Sequence, residues 1–166
     1  MRLTLAAVGA VVAALLQLTI VPHLLIGGAQ PDLVLVFAVT TTLVWGLEGG
    51  LVWAFLGGLV IDLLTPRPLG ATAFTLLVSV GLASLLGRVL DRARYLAPVI
   101  TVFPLSIVNS LLFLLVYGLL RERIPVSDPL RVALPDAIYS TAVAAVVGTI
   151  AVLIRARAAE RERVAW

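Results

Sequence analysis

Residues Gly46 to Phe74 read GLEGGLVWAFLGGLVIDLLTPRPLGATAF, and this stretch decides what kind of molecule the chain is. Gly46, Gly50, Ala54, Gly58 and Asp62 recur at every fourth position. On a helix, positions so spaced stack into a narrow ridge of minimal side chains, and this ridge ends in a carboxylate. The residues flanking it, Leu51, Val52, Trp53, Phe55, Leu56, Leu59, Val60 and Ile61, are all apolar. A helix that is apolar all round is stable only in lipid or enclosed by protein, and the ridge lets another helix come close to it. Past Asp62 the chain meets Thr65-Pro66-Arg67-Pro68-Leu69-Gly70. Pro66 and Pro68 lack amide hydrogens and Gly70 breaks regular structure, so the segment reads as a stiff turn that no helix can continue through. A second apolar run starts directly after it.

Composition extends this reading outward. The chain is 61% hydrophobic and 13% charged, with mean hydropathy +1.14, against about 45–50% apolar and about 25% charged in soluble domains. This is an integral membrane protein of the all-α class with the lipid bilayer as its solvent. Its 166 residues hold several spans of about 20 residues each but no separate soluble unit, so 1–166 reads as a single domain. Without cysteine and with one histidine, neither a disulfide framework nor a zinc site is expected, and no cofactor or metal is implied. The net charge of +3 does not indicate nucleic acid: all twelve cations are arginine, and they sit in loops and tails where charge sets membrane orientation. The N-terminal apolar run is longer than the core of a signal peptide and reads as a retained first span.

The apolar segments fall at about 3–21, 33–46, 49–62, 71–87, 97–119 and 136–154, followed by a basic tail at 155–166. Residues 33–61 read either as one over-long span or as two short ones broken at Gly46–Gly50. Arginine placement separates the two readings. With the break, one side holds Arg2, Arg88, Arg92, Arg94, Arg155, Arg157, Arg161 and Arg163, and the other holds Arg67, Arg121, Arg123 and Arg131. Without it the asymmetry weakens and the tail moves outside. The positive-inside rule therefore favours a compact six-helix bundle with both termini cytoplasmic. Spans two and three are then short and need sheltering neighbours or a thinned bilayer. Span four carries its own row, Ala71, Thr75, Ser79, Ala83 and Gly87, which suggests that spans three and four meet face to face. Pro104 is expected to kink span five, and Arg121 to Pro135 reads as an external loop.

Polar groups inside the apolar field are few. Gln17 and Asn109 are expected to hydrogen-bond neighbouring helices. Asp62 is a candidate functional group, because a carboxylate in an apolar span is expensive; the alternative is that it holds the Pro-rich turn through its amides. Both readings stand at this stage. His23 reads as an interfacial histidine and Glu48 as a solvated or helix-capping carboxylate. No paired carboxylates, phosphate loop, lysine or serine–histidine–aspartate arrangement suggests catalysis.

Six spans in this length, the Pro31-Asp32 entry to span two, and GGLVWAFLGGLVIDLLTPRPLGATAF with Gly57-Gly58-Leu59, Asp62 and Pro68-Leu69-Gly70 together resemble the MreD family of bacterial rod shape-determining membrane proteins. That resemblance implies a non-enzymatic scaffold of the cell-elongation complex in the inner membrane. Such a subunit binds MreC and associates with MreB, RodA and a class B penicillin-binding protein in lateral peptidoglycan synthesis. Gly46, Gly50, Ala54, Gly58 and Asp62 are the candidate packing and partner-binding ridge, and Pro66, Pro68 and Gly70 the motif turn. MreD-like chains are also similar to the substrate-binding S components of energy-coupling-factor vitamin transporters, which gives the alternative function. Ala6, Ala10 and Ala14 resemble the alanine row by which those components dock. A vitamin site would need polar and aromatic groups such as Asp62, Arg67, Asn109, Tyr117, Asp136 and Tyr139 to converge near the outer face.

Overall fold

The computed structural model describes residues 3–21, 30–66, 68–90, 97–119 and 129–164, with the side chains of 129–132 and 158–164 outside that description. His23, Arg67, Arg92, Arg94, Arg121 and Arg123 therefore lie outside the described residues. The described residues form six helices: α1 (Leu3–Thr19), α2 (Leu33–Trp45), α3 (Leu47–Leu64), α4 (Ala71–Val89), α5 (Ala97–Leu119) and α6 (Pro129–Val164). α3, α4, α5 and the Ala133–Arg157 part of α6 are long and apolar enough to cross a membrane, while α1 and α2 are shorter apolar helices.

The run 33–61 is broken, and the break is a single residue. Gly46 has φ 106° and ψ 170°, a backbone state that side-chain-bearing residues avoid. Its N–H closes α2 on the Thr42 carbonyl at 3.1 Å, and α3 begins at the next residue. The two helices form an antiparallel hairpin: Gly50 lies against Ala38 and Thr42, and Gly57 lies against Val34. Gly46 is thus the hinge of the hairpin rather than the first knob of the ridge. Glu48 is exposed in the first turn of α3, where a carboxylate complements the positive end of the helix.

α2 is the axis of the molecule, in contact with all five other helices. Its 13 residues span only about 20 Å, against about 30 Å of hydrocarbon. Val34, Leu35, Val36, Ala38, Val39, Thr40, Thr41, Thr42 and Val44 are all buried, so protein rather than lipid surrounds it. This is what a helix apolar on every side requires when it is too short to cross lipid alone. Around it, α1 packs on α3, α3 on α4, α4 on α5, and α5 on α6. Small residues set these distances. A Cβ on Gly9 would lie 2.7 Å from the Trp53 ring, which also stacks on Phe37 at 5.1 Å and so joins α1, α3 and α2.

One boundary differs from expectation. α6 begins at Pro129, so the latter part of the expected 121–135 loop is helical, with Pro135 inside the helix. α6 also continues to Val164 without a stop after the last apolar residue, taking in most of the basic tail. α5 runs unbroken from Ala97 to Leu119 with Pro104 inside it. The ring of Pro104 lies on the exposed face.

Candidate functional site

Because α2 is short, its N-terminus begins inside the bundle, where its orphan amides have no water to bond. Four of the five surrounding helices send a polar group there. Asp32 is the N-cap, its Oδ1 accepting from the Leu35 N–H at 3.0 Å. Gln17 of α1 accepts from the Val34 N–H through Oε1 at 2.9 Å. Ser140 of α6, fully buried, accepts from the Asp32 N–H at 3.0 Å. Asn109 of α5 donates through Nδ2 to Asp32 Oδ2 at 3.3 Å. Ser79 of α4 touches Asn109 Oδ1 at 3.5 Å while donating its one proton to the Thr75 carbonyl at 2.9 Å. Just outside this cluster, Asp136 Oδ1 accepts from the Gln30 N–H at 2.6 Å. The negative Asp32 carboxylate therefore sits at the positive end of α2, bonded by an amide from another helix.

The second polar construction is Asp62. Its side chain is 2% exposed, and its two oxygens accept from the N–H groups of Thr72, at 3.2 and 3.1 Å, and Ala73, at 3.3 Å. These are orphan amides in the first turn of α4. Gly70, with φ 87°, turns the chain into α4 and offers no side-chain cap of its own, so the carboxylate ten residues earlier supplies one. One turn before Asp62, a Cβ on Gly58 would lie 2.5 Å from Ala73 Cα and 2.7 Å from Ala73 N. Gly58 and Asp62 thus both hold the Ala73 backbone, one by contact and the other by hydrogen bond. Of the two sequence readings of Asp62, the contacts match the turn-holding one.

The ridge does not address one neighbour. A step of four residues turns about 40° beyond a full revolution, so the row winds around α3. Gly50, with Gly57, faces α2; Gly58 and Asp62, further round, face the start of α4; Ala54 is fully buried between them. The α4 row winds likewise. Ser79 reaches Asn109 of α5, and Gly87 lies against Leu43 of α2, where an added Cβ would be 2.7 Å from Leu43 Cδ2. α3 and α4 pack on each other as expected, though not row against row along their length. α3 meets α4 through Gly58 against the Ala73 backbone, while the Ser79 and Gly87 part of α4's own row turns to α5 and α2.

Of the motif turn, Pro66 is exposed and Pro68 and Gly70 half-buried, while Leu69 is 70% exposed and Phe74 54% exposed. Ala6, Ala10 and Ala14 are buried inside the chain, with Ala13 beside them, which leaves no alanine row on the surface of α1 for another protein to dock on. Of the residues named for a vitamin site, Asn109 and Asp136 lie toward the α2 N-terminus, Asp62 is taken up by α4, Tyr117 pairs with Phe113 along α5, and Arg67 lies outside the described residues. Among the described residues, no group of three or more metal-ligating side chains lies together.

Sequence reasoning named Gln17, Asn109 and Asp62 but gave no hydrogen-bonding role to Asp32, Ser140 or Ser79. The signal for Asp32 was present: Pro31-Asp32 directly before an apolar helix is an N-cap pattern. Ser140 and Ser79 carry no local signal, since serine in a membrane helix most often bonds its own backbone.

The chain is thus a membrane protein whose polar groups serve to lock short helices together. No curated protein and no solved structure gives a match to it. The family model for rod shape-determining protein MreD matches residues 1–154 of the 166. That match takes in every helix except the charged end of α6, and the chain belongs to the MreD family of rod shape-determining membrane proteins.

Proposed function

We propose that this chain is a non-enzymatic scaffold subunit of the cell-elongation complex in the bacterial inner membrane. It binds the membrane span of MreC, and through it associates with MreB, RodA and a class B penicillin-binding protein to help control lateral peptidoglycan synthesis. The six helices are six spans with both termini cytoplasmic, the short α2 sheltered by its neighbours. The observation that carries the reading is the direction in which the small and polar residues point. Gly50, Ala54, Gly58, Asp62, Gln17 and Asn109 are all engaged within the chain, and the surface left outward is apolar. Such a surface suits contact with another lipid-embedded polypeptide rather than chemistry on a solute.

The ridge then acts in partner binding by fixing the turn. Gly58 and Asp62 hold the start of α4, and the Pro66–Gly70 turn presents Leu69 beside Phe74. Co-purification with MreC in detergent tests this. Leu69→Glu and Phe74→Glu should lose MreC while the protein accumulates in the membrane as before. Gly58→Leu should lower accumulation itself. Full retention of MreC by both outward variants would remove this face as the interface.

A further inference from the structure

The end of the bundle opposite the α2 N-terminus holds a cavity of about 480 Å³, partly open to the surroundings. It lies where α2 and α4 end and α5 begins, with α6 closing one side. Two arginines line it, Arg88 in the last turn of α4 and Arg155 of α6, and no carboxylate does among the described residues. Arg155 donates from Nη1 to the Val44 carbonyl, a free C-terminal group of α2. A guanidinium has five N–H donors in a planar fork, so this bond leaves donors for an outside group.

The remaining lining adds to the case. The first turn of α5, at Ala97 and Pro98, forms part of the wall. That wall is held close to α6, because a Cβ on Gly148 would lie 2.7 Å from Pro98 Cβ. Thr42 and Ser84 already donate to carbonyls of their own helices at 2.7 Å, which leaves the two arginines as the side-chain donors for a guest among the described lining residues. Leu43, Leu47, Leu90 and Val152 supply apolar surface beside them. A guest fitting this lining is anionic, has several acceptor oxygens and carries an apolar portion. The cavity lies at the end of the membrane-capable stretches of α4 and α6, which is headgroup level once these stretches cross a bilayer as the proposed six-span reading has it.

We propose that this cavity binds the phosphate of an anionic glycerophospholipid, with Arg88 and Arg155 as its cationic partners. Guanidinium matches phosphate oxygens by geometry as well as charge. The positive-inside tendency accounts for arginines at this level; it does not require two of them on one cavity with an apolar wall and a helix start. The inference stands apart from MreC binding and needs no partner protein.

The test is native mass spectrometry of the full chain in detergent, titrated separately with phosphatidylglycerol, phosphatidylcholine and inorganic phosphate. Phosphatidylglycerol should be retained and phosphatidylcholine should not. Arg88→Gln and Arg155→Gln should each weaken retention roughly fivefold, and the pair about thirtyfold. Because Arg155 also holds α2, Ser84→Phe provides a second route: it fills the cavity while leaving both cations and the Val44 bond in place, and should abolish retention. Equal retention of the two lipids, or undiminished phosphatidylglycerol on Ser84→Phe, overturns the proposal. Displacement of the lipid by millimolar inorganic phosphate assigns the cavity to a free anion and overturns the lipid as its occupant.

Discussion

Gly58→Ala adds one methyl group at the point where α3 meets the start of α4. The new Cβ would lie 2.5 Å from Ala73 Cα, and ordinary carbon contact is about 3.5 Å, so α4 must withdraw by about 1 Å. The obstacle is backbone and cannot rotate away. The same movement lengthens the Asp62 bonds to Thr72 and Ala73, now 3.1–3.3 Å, to beyond 4 Å, where they cease to be hydrogen bonds. Overpacking costs about 1–3 kcal/mol and the loss of a charged cap about 1.5–3 kcal/mol, so the variant should lose about 3–5 kcal/mol in reversible unfolding from mixed micelles. Asp62→Asn keeps one neutral acceptor and should lose only about 1–2 kcal/mol. The decisive result is the double variant. Since Gly58→Ala has already parted the carboxylate from its amides, adding Asp62→Asn should cost almost nothing more. Additivity within about 0.5 kcal/mol would refute the idea that the two residues grip one piece of backbone. Gly81→Ala is the control: it lies in α4 with open space around it and should be neutral or stabilising by up to about 1 kcal/mol.

Other outcomes follow from the same contacts. Gly46→Ala meets no atom within 4 Å yet should destabilise by about 1–3 kcal/mol, because its φ of 106° with ψ 170° suits glycine alone; the same unfolding assay reads it. Gln17→Leu leaves the Val34 amide unbonded inside the bundle and should lose about 1–2 kcal/mol, with hydrogen exchange rising at the start of α2. The chain has no cysteine, so Val164→Cys and Leu119→Cys give single labels. A membrane-impermeant maleimide should reach Leu119→Cys in intact cells and Val164→Cys only after permeabilisation, and the reverse pattern would overturn the proposed orientation.

How much of this was legible before folding can be judged residue by residue. The break between α2 and α3 was readable, because glycines within an over-long apolar run and the uneven placement of arginines both called for it. The Pro66–Gly70 turn was readable for the same kind of local reason: prolines and glycine act on their own backbone. Gln17 and Asn109 were recognisable as bond-seeking groups. Their partners were not, since Val34 and Asp32 lie 17 and 77 positions away and nothing nearby encodes the pairing. The ridge was visible as a row, but a four-residue row drifts around a helix of 3.6 residues per turn. Gly50 and Gly58 thereby came to face different neighbours, and only the positions of α2 and α4 revealed which.

By itself, then, the sequence determined that the chain lives in a membrane, where most of its helices start and stop, and that they pack closely. These follow from composition and short-range backbone chemistry. Tertiary structure alone decided that the shortest helix is the central one, that its buried end draws a polar group from each of four helices, and that the Asp62 carboxylate completes the first turn of α4. These are facts of which surfaces meet, and contacts between distant segments are fixed only when the whole bundle closes.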